Sequence, residues 1–166
     1  MSLKSNPLSG YQIIDVFNAV NTLKEYNCQV IPIDYFLNFK LILPKNNFCI
    51  CYNTLSAHSI GTGHWCLLLL RNNNLYHVDS LNNSIDNRVL DFCENICSRK
   101  KIRFSKNNIK LQTTYSNICG HVCIYSAYYL SCGNDLGEIL KRFAFLSFDE
   151  VEHVIVNFVK HKYNIW

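Results

Sequence analysis

Proline, glycine and charge are all scarce in this 166-residue chain, which has three prolines, six glycines and only 17% Asp, Glu, Lys and Arg. There is no Gly/Ser/Pro-rich stretch, no internal repeat and no low-complexity block longer than Asn72-Asn73-Asn74. That excludes flexible linkers, solenoid repeats and long disordered segments. No apolar run approaches the roughly 18 residues needed to span a bilayer, so no membrane partner is expected. Met1 to Ser9 also lack the charged start, apolar stretch and small-residue cleavage site of a secretion signal. The expectation is a soluble, intracellular, unsecreted protein.

Cysteine, in contrast, is abundant. The nine residues form an odd count without a secretion signal, in a chain too long to need disulfide staples, so most should be reduced thiols. Spacings of Cys49-x-Cys51, Cys93-x3-Cys97 and Cys119-x3-Cys123 do not make C-x2-C knuckles, and no metal site is expected. With 49% apolar residues the chain can bury one core, which implies a single domain over residues 1–166; a monomer is expected, although nothing in the sequence fixes the oligomeric state. The net charge of +4 gathers in Arg99, Lys100, Lys101 and Arg103, with Lys106 and Lys110 behind. Such a cluster can meet a polyanion, although a solvated surface is the commoner reason for one.

Ile13, Ile14, Phe17, Val20 and Leu23 recur at helical spacing and predict an amphipathic helix near residues 10–25. Val30 to Ile33, Leu41 to Leu43 and Phe48 to Tyr52 read as short strands. Trp65 to Leu70 and Leu75 to Asp79 flank the asparagine turn and predict a hairpin. With the turn centred near Asn72, paired residue numbers sum to about 144, which brings His64 near Asp79 across the strands. A second amphipathic helix is expected over Ile85 to Cys97, a strand at Ile109 to Gln112, and a core helix from Cys119 to Leu130. Helices over Leu136 to Phe145 and from the capping box Ser147-Phe148-Asp149-Glu150 close the chain. The fold class is α+β, a small mixed or antiparallel sheet flanked by helices.

Cys119 sits where the core helix begins, and a helix N-terminus beside an imidazole favours the nucleophilic thiolate. Gly120 follows, and its missing side chain would let a substrate approach. A papain-like order needs the histidine roughly 130 or more residues downstream. Only 47 residues follow Cys119 (166 − 119), so the base precedes the cysteine or lies in the last helices. His153 and His161 have surface patterning, whereas His64 opens a strand with a carboxylate opposite. The order His64, Asp79, Cys119 remains, and a triad is a geometry that tolerates any order. Singly, each residue has a structural reading: a buried inert thiol, a strand-start histidine, a turn aspartate, a core tryptophan.

Gly63-His64-Trp65 before an apolar strand, His77-Val78-Asp79-Ser80 closing the next, Gln112, and Asn117-Ile118-Cys119-Gly120 leading a helix together resemble the adenovirus protease (adenain) family. The same broad group contains the ubiquitin-like-protein-specific proteases. The resemblance covers about residues 28–132. It implies an adenain-like cysteine protease fold with the nucleophile at the N-terminus of a buried central helix. It further implies His64 as base, Asp79 as its acidic partner, Cys119 as nucleophile, and Gln112 with the Cys119 backbone N–H as oxyanion donors. Gln112 precedes Cys119 by seven residues, the viral interval, where the deconjugating enzymes usually have six.

The function implied is an endopeptidase that processes viral precursor polypeptides at Gly-containing sites in the host nucleus or virion. The alternative is a SUMO-type deconjugating protease. Trp65 and Gly120 would line a narrow substrate passage. No cofactor is required for the chemistry itself, but the resemblance implies DNA, through Arg99, Lys100, Lys101 and Arg103, or an activating peptide as regulators. Here an Asp stands where the adenoviral enzymes commonly have Glu, and Cys93 and Cys97 are the nearest candidates for their peptide-linking cysteine.

Overall fold

Asn72 and Asn73 both adopt left-handed backbone, with φ of 47° and 64°. This is the twist a two-residue hairpin turn needs, and asparagine tolerates it better than most residues. The turn joins β3 (Trp65–Arg71) to β4 (Asn74–Val78) in a computed structural model. It describes residues 6–38, 47–61 and 63–165, without the side chains of Asn38, Arg99 and Lys100.

Three further strands complete a mixed sheet in the order β1-β2-β3-β4-β5, with β1 at Asn27–Pro32, β2 at Phe48–Asn53 and β5 at Arg103–Lys106. The β1/β2 and β4/β5 pairs are parallel, and the two inner pairs antiparallel. Strand alternation sorts the central residues onto two buried faces. Cys49, Cys51, Leu67, Leu69, Tyr76 and Val78 join one core, and Phe48, Ile50, Tyr52, Cys66, Leu68, Leu70 and Leu75 the other. This is why Leu67 to Leu70 reads as one continuous apolar run.

The first core is closed by α1 (Gly10–Ala19), α4 (Cys119–Ser131), α5 (Leu136–Lys141) and α6 (Phe148–Tyr163). The second is closed by α3 (Asn87–Lys100), with Phe36 from the four-residue α2 (Tyr35–Asn38). Helix α4 lies against β3 with Val122, Cys123, Ile124, Tyr125, Ala127 and Leu130 all buried, which explains a sequence apolar on every side. Reciprocal capping boxes start α1 at Ser9 and α6 at Ser147.

The α+β expectation holds, with four differences, one being that the helix expected over Leu136 to Phe145 ends at Lys141. The helix expected over residues 10–25 ends at Ala19 and gives way to a short 3-10 turn, Asn21–Leu23. Ile109 to Gln112 is not a strand, because the Leu111 and Gln112 amides both turn onto the Ser80 carbonyl, at 2.8 and 3.3 Å. The fifth strand is instead β5, whose four residues are all exposed and carry no alternating signal. The strand expected at Leu41 to Leu43 lies outside the described residues. Nine free cysteines accord with reduced thiols, and no described helix is long and apolar enough to cross a membrane.

Candidate active site

The hairpin register sums to 145, since Arg71 pairs with Asn74 and Leu67 with Val78. Continued one step, it sets Cys66, rather than His64, opposite Asp79. His64 lies two residues further and reaches the carboxylate diagonally, its Nε2 2.6 Å from Asp79 Oδ1. The backbone before it is held in place. His64 N donates to Thr54 Oγ1 at 3.1 Å, and Thr54 N to His64 O at 2.9 Å. Gly63 has φ of +58°, and a Cβ there would stand 1.9 Å from Asn53 Oδ1, so only glycine fits.

Asp79 is anchored from several directions. Its Oδ1 also accepts from Leu81 N at 2.8 Å and its Oδ2 from Asn83 N at 3.0 Å. The buried Asn107 grips the same residue's backbone, accepting from Asp79 N at 2.9 Å and donating to Asp79 O at 2.7 Å. Burial raises the Asp79 carboxyl's pKa, but its bonds to His64 and to these amides outweigh that and hold it below the usual range.

Cys119 begins α4, and the residue before it, Ile118, supplies no side-chain cap. The first-turn amides and the positive end of the helix are thus left to the thiol. Burial raises the Cys119 pKa, yet hydrogen bonding to His64 and to the backbone N–H groups of Trp65 and Gly120 brings it below 9.0. Burial likewise disfavours a charged His64, but its bonds to Asp79 and Cys119 push it up to about 12. The two opposed shifts favour passage of the thiol proton to an imidazole braced by a carboxylate, an arrangement suited to nucleophilic attack and proton return.

The approach to the sulfur is narrow, with Cys119 only 9% exposed. Trp65 is half-buried and donates its indole N–H to Leu8 O at 3.1 Å. The room left by Gly120 is filled by protein, because a Cβ there would meet Leu8 Cβ at 3.1 Å and Ile13 Cδ1 at 3.2 Å. A tight fit against α1 and its leading residue therefore explains this glycine. The other side of Trp65 lines an uncharged cleft of about 500 Å³, together with Ile14, Val30, Pro32 and Leu55.

Gln112 is buried, its Oε1 accepting from Ser80 Oγ at 2.9 Å and its Nε2 donating to Ser116 O at 3.2 Å. Ser116 stands three residues before Cys119 and is itself fixed by Glu152 of α6, at 2.8 Å. Sequence reasoning did not pick out Leu8, Ser80, Asn107 or Ser116. Each acts through contacts made in space, and only Ser80, next to Asp79, carried any local hint.

The remaining candidates divide. Lys101 and Arg103 are exposed near the edge strand β5, while the Arg99 and Lys100 side chains lie outside the described residues. Among the described residues one group of potential metal ligands lies within 4.8 Å of one another, His64, Cys66 and Asp79. A cation held there would take up the groups that form the histidine–carboxylate bond. His77 is buried against Tyr52 Oη at 2.8 Å, and burial pulls its pKa down to about 4. Burial and nearby Lys160 pull His121 to about 4 as well, so both rings are neutral near pH 7.

The fold has known counterparts. An ASFV protease superposes with a TM-score of 0.60 at 16% identity, covering 94% of this chain and 67% of that one. The Chlamydia trachomatis effector Cdu1, solved bound to ubiquitin, gives 0.54 at 13% identity over 92% and 77%. The SUMO protease Ulp1, with its catalytic cysteine oxidised to a sulfinic acid, gives 0.50 at 13% identity over 93% and 80%. The chain thus has the fold of the Ulp1-like cysteine proteases. No protein-family model matches it, and no curated protein matches it by sequence.

Proposed function

We propose that this chain is a cysteine peptidase of the Ulp1-like kind, in which Cys119 is the nucleophile, His64 the acid–base and Asp79 its orienter. The single observation carrying this reading is the His64 imidazole, bonded to Asp79 at 2.6 Å and near enough to the thiol that begins α4 to lower its pKa. The Cys119 thiolate attacks the scissile carbonyl carbon, and the resulting oxyanion is met by the Cys119 backbone N–H and Gln112 Nε2. Collapse breaks the C–N bond as His64 protonates the leaving amine, leaving a thioester. His64 then takes a proton from water, the hydroxide displaces the thiolate, and the acid product departs.

For the substrate, the tail of a ubiquitin-like protein is better supported than the viral precursors that the adenain resemblance implies. Two of the proteins sharing the fold are a SUMO protease and an effector solved with ubiquitin. A slender Gly-containing tail also suits a thiol that is only 9% exposed. Processing of viral precursors is the second reading. It is supported by the seven-residue interval from Gln112 to Cys119 and by the viral protease among the structural counterparts. Activation by DNA through the exposed Lys101 and Arg103 belongs to that second reading.

Incubation with short Gly-containing peptides and with intact ubiquitin-like fusions separates the two. Efficient cleavage of the folded fusions alone supports deconjugation, because the wide body then supplies binding energy used at the distant bond. Equal cleavage of the short peptides, especially with added DNA, would move the assignment to precursor processing.

A further inference from the structure

We propose that Ser80 is a positioning residue that holds the Gln112 amide in the orientation selected by Ser116 O, and through it the oxyanion site; this rests on the peptidase reading above. A glutamine carboxamide can face either way, and only one orientation offers N–H to an oxyanion. Here both ends are pinned. Ser116 O is a carbonyl, which can only accept, so it requires Nε2 on its side at 3.2 Å. Ser80 Oγ donates to Oε1 at 2.9 Å from the other side. One Nε2 hydrogen is thereby used, and the second makes no hydrogen bond among the described residues.

Ser80 holds the backbone of the same segment too, its carbonyl accepting from Leu111 N at 2.8 Å and Gln112 N at 3.3 Å. Both Ser80 and Gln112 are almost fully buried, 1% and 4% exposed, so water is poorly placed to replace the hydroxyl. Because Ser80 directly follows Asp79, whose backbone is clamped by Asn107, the acid and the residue that holds Gln112 are neighbours in one turn. Losing the hydroxyl leaves Gln112 Oε1 unsatisfied and the carboxamide held at one end only, without touching the nucleophile or base.

The test is a double-mutant cycle with an amide readout. Ser80→Ala should lower kcat at least about tenfold, but by no more than the roughly 10²–10³-fold loss expected from removing an oxyanion donor. KM should stay unchanged, and Ser80→Thr, which keeps the hydroxyl, should recover most of the rate. In a Gln112→Ala background the same Ser80→Ala change should alter kcat by less than about twofold, since the two groups act as one unit. Additive losses, or a change in KM alone, would overturn the proposal. Side-chain amide NMR, with Gln112 assigned by the signal lost in Gln112→Ala, should show a slowly exchanging pair in the parent that broadens or moves in Ser80→Ala. An unmoved Gln112 amide would also overturn it. A parent protein that cleaves nothing would refute the peptidase reading, and the NMR arm would still decide the Ser80–Gln112 link.

Discussion

Replacing Asp79 by Asn removes one charge while keeping the side chain's shape, and the structure says what should follow. Asp79 Oδ1 accepts from both His64 and Leu81 N, so the amide oxygen should keep that position and Nδ2 should face Asn83 N, formerly a donor to Oδ2 at 3.0 Å. One local bond is lost, and the imidazolium loses its anionic partner. A hydrogen bond involving a charged group contributes about 1.5–3 kcal/mol, which corresponds to about one to two pH units and about a 10- to 150-fold loss in rate. The sign follows from His64 being raised above its ordinary 6.5 to about 12. The protonated pair is favoured below the ordinary value and lost as pH rises through the raised one, so weakening it moves the alkaline limit downward. The alkaline limb of the kcat/KM profile should lie about one to two units lower in Asp79→Asn than in the parent. An unshifted alkaline limb with full activity would refute the bracing role of Asp79.

At pH 6, brief alkylation followed by mass spectrometry should label Cys119 before the other eight cysteines: burial raises Cys49, Cys51, Cys66 and Cys93, and Cys28, also lowered, is lowered by the Cys49 thiol and has no imidazole to take its proton. The preference should vanish in His64→Ala. Gln112→Ala should lower kcat by roughly 10²–10³ with little change in KM, as expected of a single oxyanion donor. Gly63→Ala should cost at least about 1–2 kcal/mol, visible as a lower Tm, since it adds left-handed strain to a collision with Asn53. A tolerated Gly63→Ala would mean that the loop before His64 is not fixed as described.

How far the sequence carried depended on whether a feature was local. The asparagine turn, the continuous leucine strand and the apolar helix after Cys119 each follow from a contiguous pattern, and the structure has all three. His64 and Asp79 came together because a hairpin fixes its own pairing. The one-unit difference in register placed Cys66 opposite Asp79 and left His64 to reach it diagonally. Strand β5 was hidden because its exposed residues Arg103 to Lys106 alternate with nothing. Ile109 to Gln112 imitated a strand in composition, while its Leu111 and Gln112 amides are bound to a single carbonyl. Leu8 lies 111 residues from Cys119 (119 − 8), and no local pattern could announce that it packs on the neighbouring Gly120. Polar anchors such as Asn107 and Ser116 are equally silent in sequence, since any surface loop could hold them.

The central claim is that Cys119 cuts a peptide bond with His64 as its acid–base. The most direct measurement is cleavage of a Gly-containing tail, offered both as a short fluorogenic peptide and as an intact ubiquitin-like fusion, by the parent, Cys119→Ala and His64→Ala proteins. Cleavage is expected from the parent alone, with a thioester-linked fragment on Cys119 trapped by rapid acid quench. Cleavage persisting in Cys119→Ala, or none by the folded parent on either substrate, would contradict the claim.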